Sequence, residues 1–467
     1  MKTRKFLCLF VVALAVFALL TAGGCGGSSN SDSSLSNDNT SKEEQAAPEN
    51  NTNNNTETGT NDNTETETND NTETETETNN NTDTQTETDT VSGETYSTTT
   101  AGSHALALTS GSASYSNITV NKTGDVSGQD DDYDWQGTNA AVFASGGGTL
   151  TITGSSTSIS SSAKYGNAVF SYGGNLNGSN SGDGSTINIS DATITTTSNN
   201  SGGIMVTGGG KITASDLTIT TSGGSSAAIR SDKGGGTITV SGGTYTTNGT
   251  GSPAIYSTAA ISVTGADLVS NTAQGVVIEG GNSVTLTDTN INANHTTLNG
   301  QDTTHQAVMI YQSMSGDASD GSSSFTMTDG SITNSVGDIF HVTNTTTTIA
   351  LSGVSITNND SDGVFLRATA DSWGSSGSNG GKVTLNASGQ DITGDMVVDN
   401  VSTLTMSLTD SSTFTGAVNA ANTGTVNMTV ESGSTWTLTG NSYVTSLSGE
   451  GTITKGSYTL YVNGTAQ

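Results

Sequence analysis

Residues 211–215 read KITAS, 237–241 TITVS, 260–265 AISVTG and 283–288 SVTLTD, each setting aliphatic side chains between small polar ones. Alternation with a period of two places apolar and polar groups on opposite faces of a β-strand. The same texture continues on both sides. TLTITG (149–154) and TINIS (186–190) come before; SFTMTD (324–329), TIALSG (348–353), KVTLNAS (382–388), TLTMSLTD (403–410) and TVNMTVE (425–431) come after. One apolar anchor from each gives Ile152, Ile187, Ile212, Ile238, Ile261, Val284, Phe325, Ile349, Val383, Leu404 and Val426. The steps between them are 35, 25, 26, 23, 23, 41, 24, 34, 21 and 22 residues. A step of 21 to 26 is one coil of a parallel β-solenoid, and the longer steps carry an inserted loop. Every coil holds a second strand, such as ATITTT or LTITT, and a third, such as AIYST, VVIEG or IFHVT.

A narrow coil accounts for the composition. Of 467 residues only 30% are hydrophobic and 12% charged, with 60 Gly and 2 Pro. A helical globule is excluded on those figures, whereas a coil needs only a few inward aliphatic side chains and can cover its outside with Thr, Ser and Asn. About 11 to 12 coils are expected, stacked ~4.8 Å apart.

The N-terminal quarter has a different character. Lys2, Arg4 and Lys5 precede an apolar run from Phe6 to Leu20 and then small residues, the layout of a secretory signal over 1–24. Thr21-Ala22-Gly23-Gly24-Cys25 resembles a bacterial lipobox, with Ala22 where that motif prefers Leu. The resemblance implies lipidation at Cys25 and a membrane anchor through the N-terminal lipid. Gly26, where an Asp would favour the inner membrane, points to the outer membrane or cell surface. Cys8 is removed with the signal, so no intramolecular disulfide forms. Residues 25–91 are rich in Asn, Thr and Glu with almost nothing to bury, and read as a disordered acidic tether. The β-helix is expected over 92–429, and 430–467, with Trp436, Tyr443, Tyr458 and Tyr461, as its closing coil.

Net charge is −31, and −34 once Lys2, Arg4 and Lys5 are gone. A chain so acidic does not bind nucleic acid, whose phosphates need a basic face.

From residue 92 to the end the repeats, the texture and stretches such as STWTLTGNSYVTSL (434–447) resemble the right-handed parallel β-helix of the pectate-lyase-like superfamily. Its adhesin-like members on bacterial surfaces are the nearer likeness. The resemblance implies an all-β, right-handed solenoid and raises polysaccharide cleavage as an alternative activity. The Gly-His-Gly and Arg-Ile-Lys elements of the superfamily's hydrolases are absent, so no catalytic residue is assigned. A polyanionic substrate is also disfavoured by the acidic body. A non-catalytic structural role in the envelope is the third reading.

Aligning the third strands predicts a core column of Val142, Val169, Ile204, Ile229, Ile255, Val276, Val308, Ile339, Val364 and Met396. The interleaved column, expected to face outward, is Phe143, Phe170, Met205, Arg230, Tyr256, Val277, Met309, Phe340, Phe365 and Val397. Two residues further on come Tyr172, Asp232, Glu279, Tyr311, Arg367 and Asp399. The longest insertions (171–185, 292–306, 311–324 and 367–381) all flank this strand, the arrangement that walls a groove. Aromatic platforms with a few carboxylates and guanidinium groups suit sugar rings. Ligand contact is therefore expected at Tyr256, Glu279, Tyr311, Arg367 and Trp373, with Arg230, Asp232, Phe340 and Phe365 nearby. The partner would be a polysaccharide or a host or cell-surface glycoprotein. The competing reading is that the loops fold over the stripe and make it a second small core.

No cofactor is required by anything in the sequence. Calcium is the one candidate, from alternate oxygen ligands at Asp130, Asp132 and Asp134 and at Asn358, Asp360 and Asp362, against solvated acidic loops as the plainer reading. His104, His295, His305 and His341 lack the paired spacing of a zinc site, and His341 falls in the column read as inward.

Overall fold

The computed structural model describes residues 90–127, 131–177 and 180–467, which fall within one compact unit. The signal 1–24, Cys25, Asp130 and all but the last two residues of the tether 25–91 lie outside the described residues.

The repeating strands stack into a parallel β-helix with three faces. The first is a 14-stranded sheet from Val91–Ser92 to Ser446–Ser448. The second has 10 strands, from Thr95–Thr98 to Ser355–Asn358, and resumes as four strands from Asp391–Thr393 to Thr452–Thr454. The third has 11 strands, from Leu106–Leu108 to Met396–Val398. The KITAS strand lies in register between TINIS and TITVS, with Ile212 paired to Ile187 and to Ile238. Fourteen strands on one face exceed the expected 11 to 12 coils. The additional strands, at Val91–Ser92, Ser112–Ser116 and Ser446–Ser448, lie outside the run of anchors.

Two anchors are corrected. Ile187 pairs with Leu150, not Ile152, and Ile349 pairs with Leu385, not Val383. Each slip is of two residues, and because side chains alternate with period two the anchors stay inward. Ile152 and Val383 are indeed buried.

The core is built from two inward columns on the first face. One runs Leu150, Ile187, Ile212, Ile238, Ile261, Val284, Phe325, Ile349, and its neighbour runs Ile152, Ile189, Ala214, Val240, Val263, Leu286, Met327, Leu351. All are buried in one continuous cluster. Each large aliphatic side chain withdrawn from water contributes roughly 1.5–3 kcal/mol.

At the end of the second strand the inward position is polar, and there the hydroxyls of Ser161, Thr196, Thr221 and Ser270 bond the backbone of the turn, while that of Thr247 is buried without a partner. Ser161, Thr196, Thr221, Thr247 and Ser270 align. Thr221 Oγ1 donates to the Ser226 carbonyl at 2.6 Å, and Ser270 Oγ to that of Ala273 at 2.9 Å. Lys122 stands in the same column between Thr98 and Ser161, with its buried ammonium donating to the Thr100 carbonyl at 2.7 Å. Burial pushes its pKa down to about 8.

The last segment does more than close the end. Trp436 is fully buried and stacks on Phe414 with ring centroids 5.9 Å apart. Tyr443 and Tyr461 stack outside at 4.6 Å. Thr465–Ala466 turns back antiparallel on Leu460–Val462 and covers that edge.

Candidate functional site

The third face carries the candidate site, and its register decides which side chains leave the core. Val308 pairs with Phe340, and Phe340 with Leu366. The inward column therefore runs through Phe340 and Leu366, not Ile339 and Val364. Phe340 is buried between Phe325 and Phe365, at 5.4 and 5.6 Å. This corrects Phe340 and Phe365 as outward ligand contacts, since both belong to the central core. The cause is sequence ambiguity: Ile339-Phe340 and Val364-Phe365-Leu366 are apolar at consecutive positions, so alternation does not mark the face, and a one-residue slip inverts it.

Outward lie Phe143, Phe170, Met205, Arg230, Tyr256, Val277, Met309, His341, Arg367 and Val397, in register. His341 is thus corrected from inward to outward, and Arg367 stands beside it in this column, not in the column of Glu279 and Tyr311. Most of the stripe is roofed. Phe143, Phe170 and Met205 form one small apolar cluster, and Val277, Met309 and Tyr311 another, with Tyr256 and Trp373 at its margin. Trp135 lies against Lys233, whose ammonium is 3.9 Å from the ring centroid.

Under the loop after Tyr311 sits a buried carboxylate. Glu279 is 1% exposed. Its Oε2 accepts from the Tyr311 hydroxyl at 2.9 Å and from that of Tyr256, and its Oε1 accepts from the Ser313 and Ser315 hydroxyls. Burial raises the carboxyl's pKa, and the donated hydroxyl bonds hold it back. Burial and the Glu279 charge push the phenols of Tyr256 and Tyr311 well above their ordinary value. Trp373 leans on Tyr311 at 4.8 Å. Tyr256, Glu279, Tyr311 and Trp373 are thereby brought together.

Next to Tyr256 the Arg230 guanidinium meets Asp232 at 3.1 Å. Burial pushes the Asp232 carboxyl up to about 7; Arg230 opposes this, and the charges of Asp317 and Asp134 add to it. Arg367 is apart. It pairs with Asp338 at 2.6 Å, four coils from Tyr256 along the column, about 19 Å away.

Two inserted loops leave an opening beside this cluster. A cleft of about 400 Å³ lies between the loops after Tyr172 and after Tyr311, lined among others by Leu176, Gly234, Gln312, Met314, Asp317 and Asp320. Leu176, Met314 and Asp317 were not singled out from the sequence. The one signal for Leu176 and Met314 is an isolated large apolar residue inside each polar insertion, and Asp317 has none. A second cleft, of about 250 Å³, shares Gln312 and Met314 and reaches Lys382.

A further polar cluster lies beneath the insertion before the strand at Gln306–Tyr311. His295 is fully buried, its Nδ1 accepts from the Gln306 amide at 3.2 Å, and its Nε2 is 3.9 Å from Asp302. Thr303 donates to Asp371 at 2.8 Å, and His341 Nε2 lies 3.8 Å from the same carboxylate, so two insertions are tied together.

In the acidic loops Asp132, Asn358 and Asp360 use side-chain oxygens internally. Asp131–Asp134 is a short helical turn, and Asp132 accepts from Gln136. Asp134 acts by charge on Arg230. Asp360 accepts from the amides of Gly337 at 2.7 Å and Asp362 at 3.0 Å, which hold its carboxyl below the usual range. Asn358 accepts from the Asp360 amide at 3.1 Å. Among the described residues no three His, Cys, Asp or Glu side chains converge to hold a metal ion.

No family model, curated protein or solved structure matches the chain.

Proposed function

We propose that this chain is a lipid-anchored cell-surface protein of pectate-lyase-like architecture, whose β-helix binds glycans at the cleft on its third face. The observation that carries the reading is the cleft itself. Two insertions from distant coils wall about 400 Å³ with an aliphatic pair, Leu176 and Met314, beside polar groups. That volume and mixed lining suit a small-molecule or oligosaccharide site. Met314 is 63% exposed, which a residue serving only the core would not be. Neither Tyr311 nor Glu279 lines the cleft, but Glu279, bonded to the Tyr311 hydroxyl, holds the Ser313 end of the loop that walls it.

The test mixes the protein with a panel of neutral and charged polysaccharides and follows the glycan by size-exclusion chromatography. Intact glycan is expected to co-elute with the protein. Leu176→Ser with Met314→Ser should abolish co-elution without moving the thermal midpoint. Retention of binding by that double variant would remove the cleft from the reading.

Glycan hydrolysis is a second reading, favoured by one observation. Asp232 and Glu279, both with raised pKa, stand two coils apart. That is roughly 10 Å along the axis, near the carboxylate separation of inverting glycoside hydrolases. A shift of the glycan to smaller sizes, lost in Glu279→Gln, would establish it in place of binding alone.

A further inference from the structure

The described residues hold no cysteine, so their sulfur is that of methionine alone. Six of these methionines, Met205, Met309, Met327, Met396, Met406 and Met428, are no more than 2% exposed. The seventh, Met314, is 63% exposed and lines both clefts. A peroxide reacts with a thioether that it can reach, and burial withholds the other six.

The loop is built to hold Met314 in that place. Ser313 and Ser315, on either side of it, both donate to Oε1 of the buried Glu279. The Ser313 hydroxyl also accepts from the Ser315 amide at 3.0 Å. With both neighbours drawn toward the sheet, the residue between them becomes the apex of the turn, and its φ of +68° lies in the left-handed region. That conformation costs an L side chain free energy that glycine is spared. What methionine adds at the apex is therefore its side chain, displayed into the cleft.

Oxidation changes what that side chain offers. The sulfur lone pair attacks one oxygen of hydrogen peroxide and the O–O bond breaks. A proton passes between the two oxygens, water leaves, and the thioether has become a sulfoxide: the sulfur is oxidised and the peroxide reduced. The product is a polar, chiral group in place of an apolar one. Half of the aliphatic pair that the cleft presents to the C–H face of a sugar is then lost. Sulfoxide reductases, with a thiol as reductant, return each epimer to the thioether.

We propose that Met314 is a redox-sensitive modification site, oxidised by peroxide ahead of the buried methionines, and that its sulfoxide weakens glycan binding at the cleft. The second half rests on the glycan reading, and the first does not.

The experiment treats the full chain with hydrogen peroxide and follows each methionine by peptide mass spectrometry. Met314 should gain one oxygen atom at least about tenfold faster than any of the six buried methionines, which react only as the coils open. Comparable rates at Met314 and at a buried methionine would overturn the site. Treated and untreated protein are then titrated calorimetrically with xylan, galactomannan, a mixed-linkage β-glucan and polygalacturonate. A glycan that the untreated protein binds should bind about tenfold more weakly after oxidation, the loss of part of one apolar contact. Sulfoxide reductases for both epimers, with dithiothreitol, should restore it. Met314→Leu, whatever its starting affinity, should lose none of it to peroxide. Unchanged affinity after oxidation, or an equal loss in Met314→Leu, would overturn the coupling to the cleft. Binding of none of the four by the untreated protein would overturn the glycan reading and the coupling with it, while the oxidation site would be decided by the mass measurement alone.

Discussion

A carboxylate as deeply buried as that of Glu279 ordinarily stands against a cation, because burial penalises the charged form. Here hydroxyls of Tyr256, Tyr311, Ser313 and Ser315 stand in that place. Two of them come from the loop that walls the cleft, so the carboxylate fastens loop to sheet. Glu279→Leu should loosen that loop and raise protease cleavage near Met314, while Glu279→Gln, which still accepts hydrogen bonds, should protect it; equal cleavage in both variants would dismiss the fastening. Other buried acids and imidazoles set the pH response. The Asp232 carboxyl, pushed up to about 7 chiefly by burial, is costly to ionise in the folded state. Stability therefore rises as the pH falls through about 7 and the proton is taken up. His104 and His295, pushed down to about 4 chiefly by burial, are held neutral. Their contribution is lost as the pH falls from about 6.5 toward 4. The thermal midpoint should peak near about pH 6, and Asp232→Asn should flatten the alkaline side. A midpoint that does not fall between about pH 6 and pH 7 would contradict this assignment; from about pH 8 upward the lowered pKa of Lys122 raises stability again. None of these environments was legible from residue type alone. Tyr256, Glu279 and Tyr311 were picked out by position, but Asp317 and Gln312 lay in insertions that carry no period.

At the scale of one element, the corner after each first-face strand is the most legible feature. Gly154, Asp191, Asp216, Gly242, Gly265, Asp288, Asp329, Gly353, Gly389 and Asp410 follow those strands in turn, and every one has positive φ. Gly adopts that region freely and Asp tolerates it, which is why the repeats end in G or D. Gly265 has φ +68 and open space around its would-be Cβ, so Gly265→Ala should cost only about 1 kcal/mol of backbone strain. Gly249 is constrained differently. A Cβ there would lie 1.8 Å from the Gly223 carbonyl oxygen of the preceding coil. Gly249→Ala must push two backbones apart and should lower the urea midpoint well beyond Gly265→Ala. The reverse order would show that the coils are not held so closely at that turn. Strand register was less legible: the slips at Ile152 and Val383 preserved the face, whereas those at Phe340 and Phe365 inverted it.

Across the whole described unit, each coil contacts mainly its neighbours, so stability approximates a sum of coils and interfaces. Ile238 lies mid-stack between Ile212 and Ile261. Ile238→Ala should cost about 2–5 kcal/mol, read as a fall in the urea midpoint. A loss below about 1 kcal/mol would mean that the neighbouring coils close the cavity. The C-terminal end needs protection because an unpaired edge strand recruits other chains. Removing 463–467 takes away the antiparallel Thr465–Ala466 cover of Leu460–Val462. Concentration-dependent light scattering should follow, and unchanged scattering would show that this edge needs no cover.

The sequence by itself determined the parallel β-helix, its three strands per coil and the crowding of insertions on one face. Those properties follow from period-two alternation and a step of 21 to 26 residues, both local and repeated many times. Tertiary structure alone decided that the insertions roof most of the aromatic stripe, that Phe340 and Phe365 belong to the core, and that a cleft opens between Leu176 and Met314. Where apolar residues run consecutively, and where loops from coils far apart in sequence meet, the outcome depends on contacts between coils, and no local pattern encodes those.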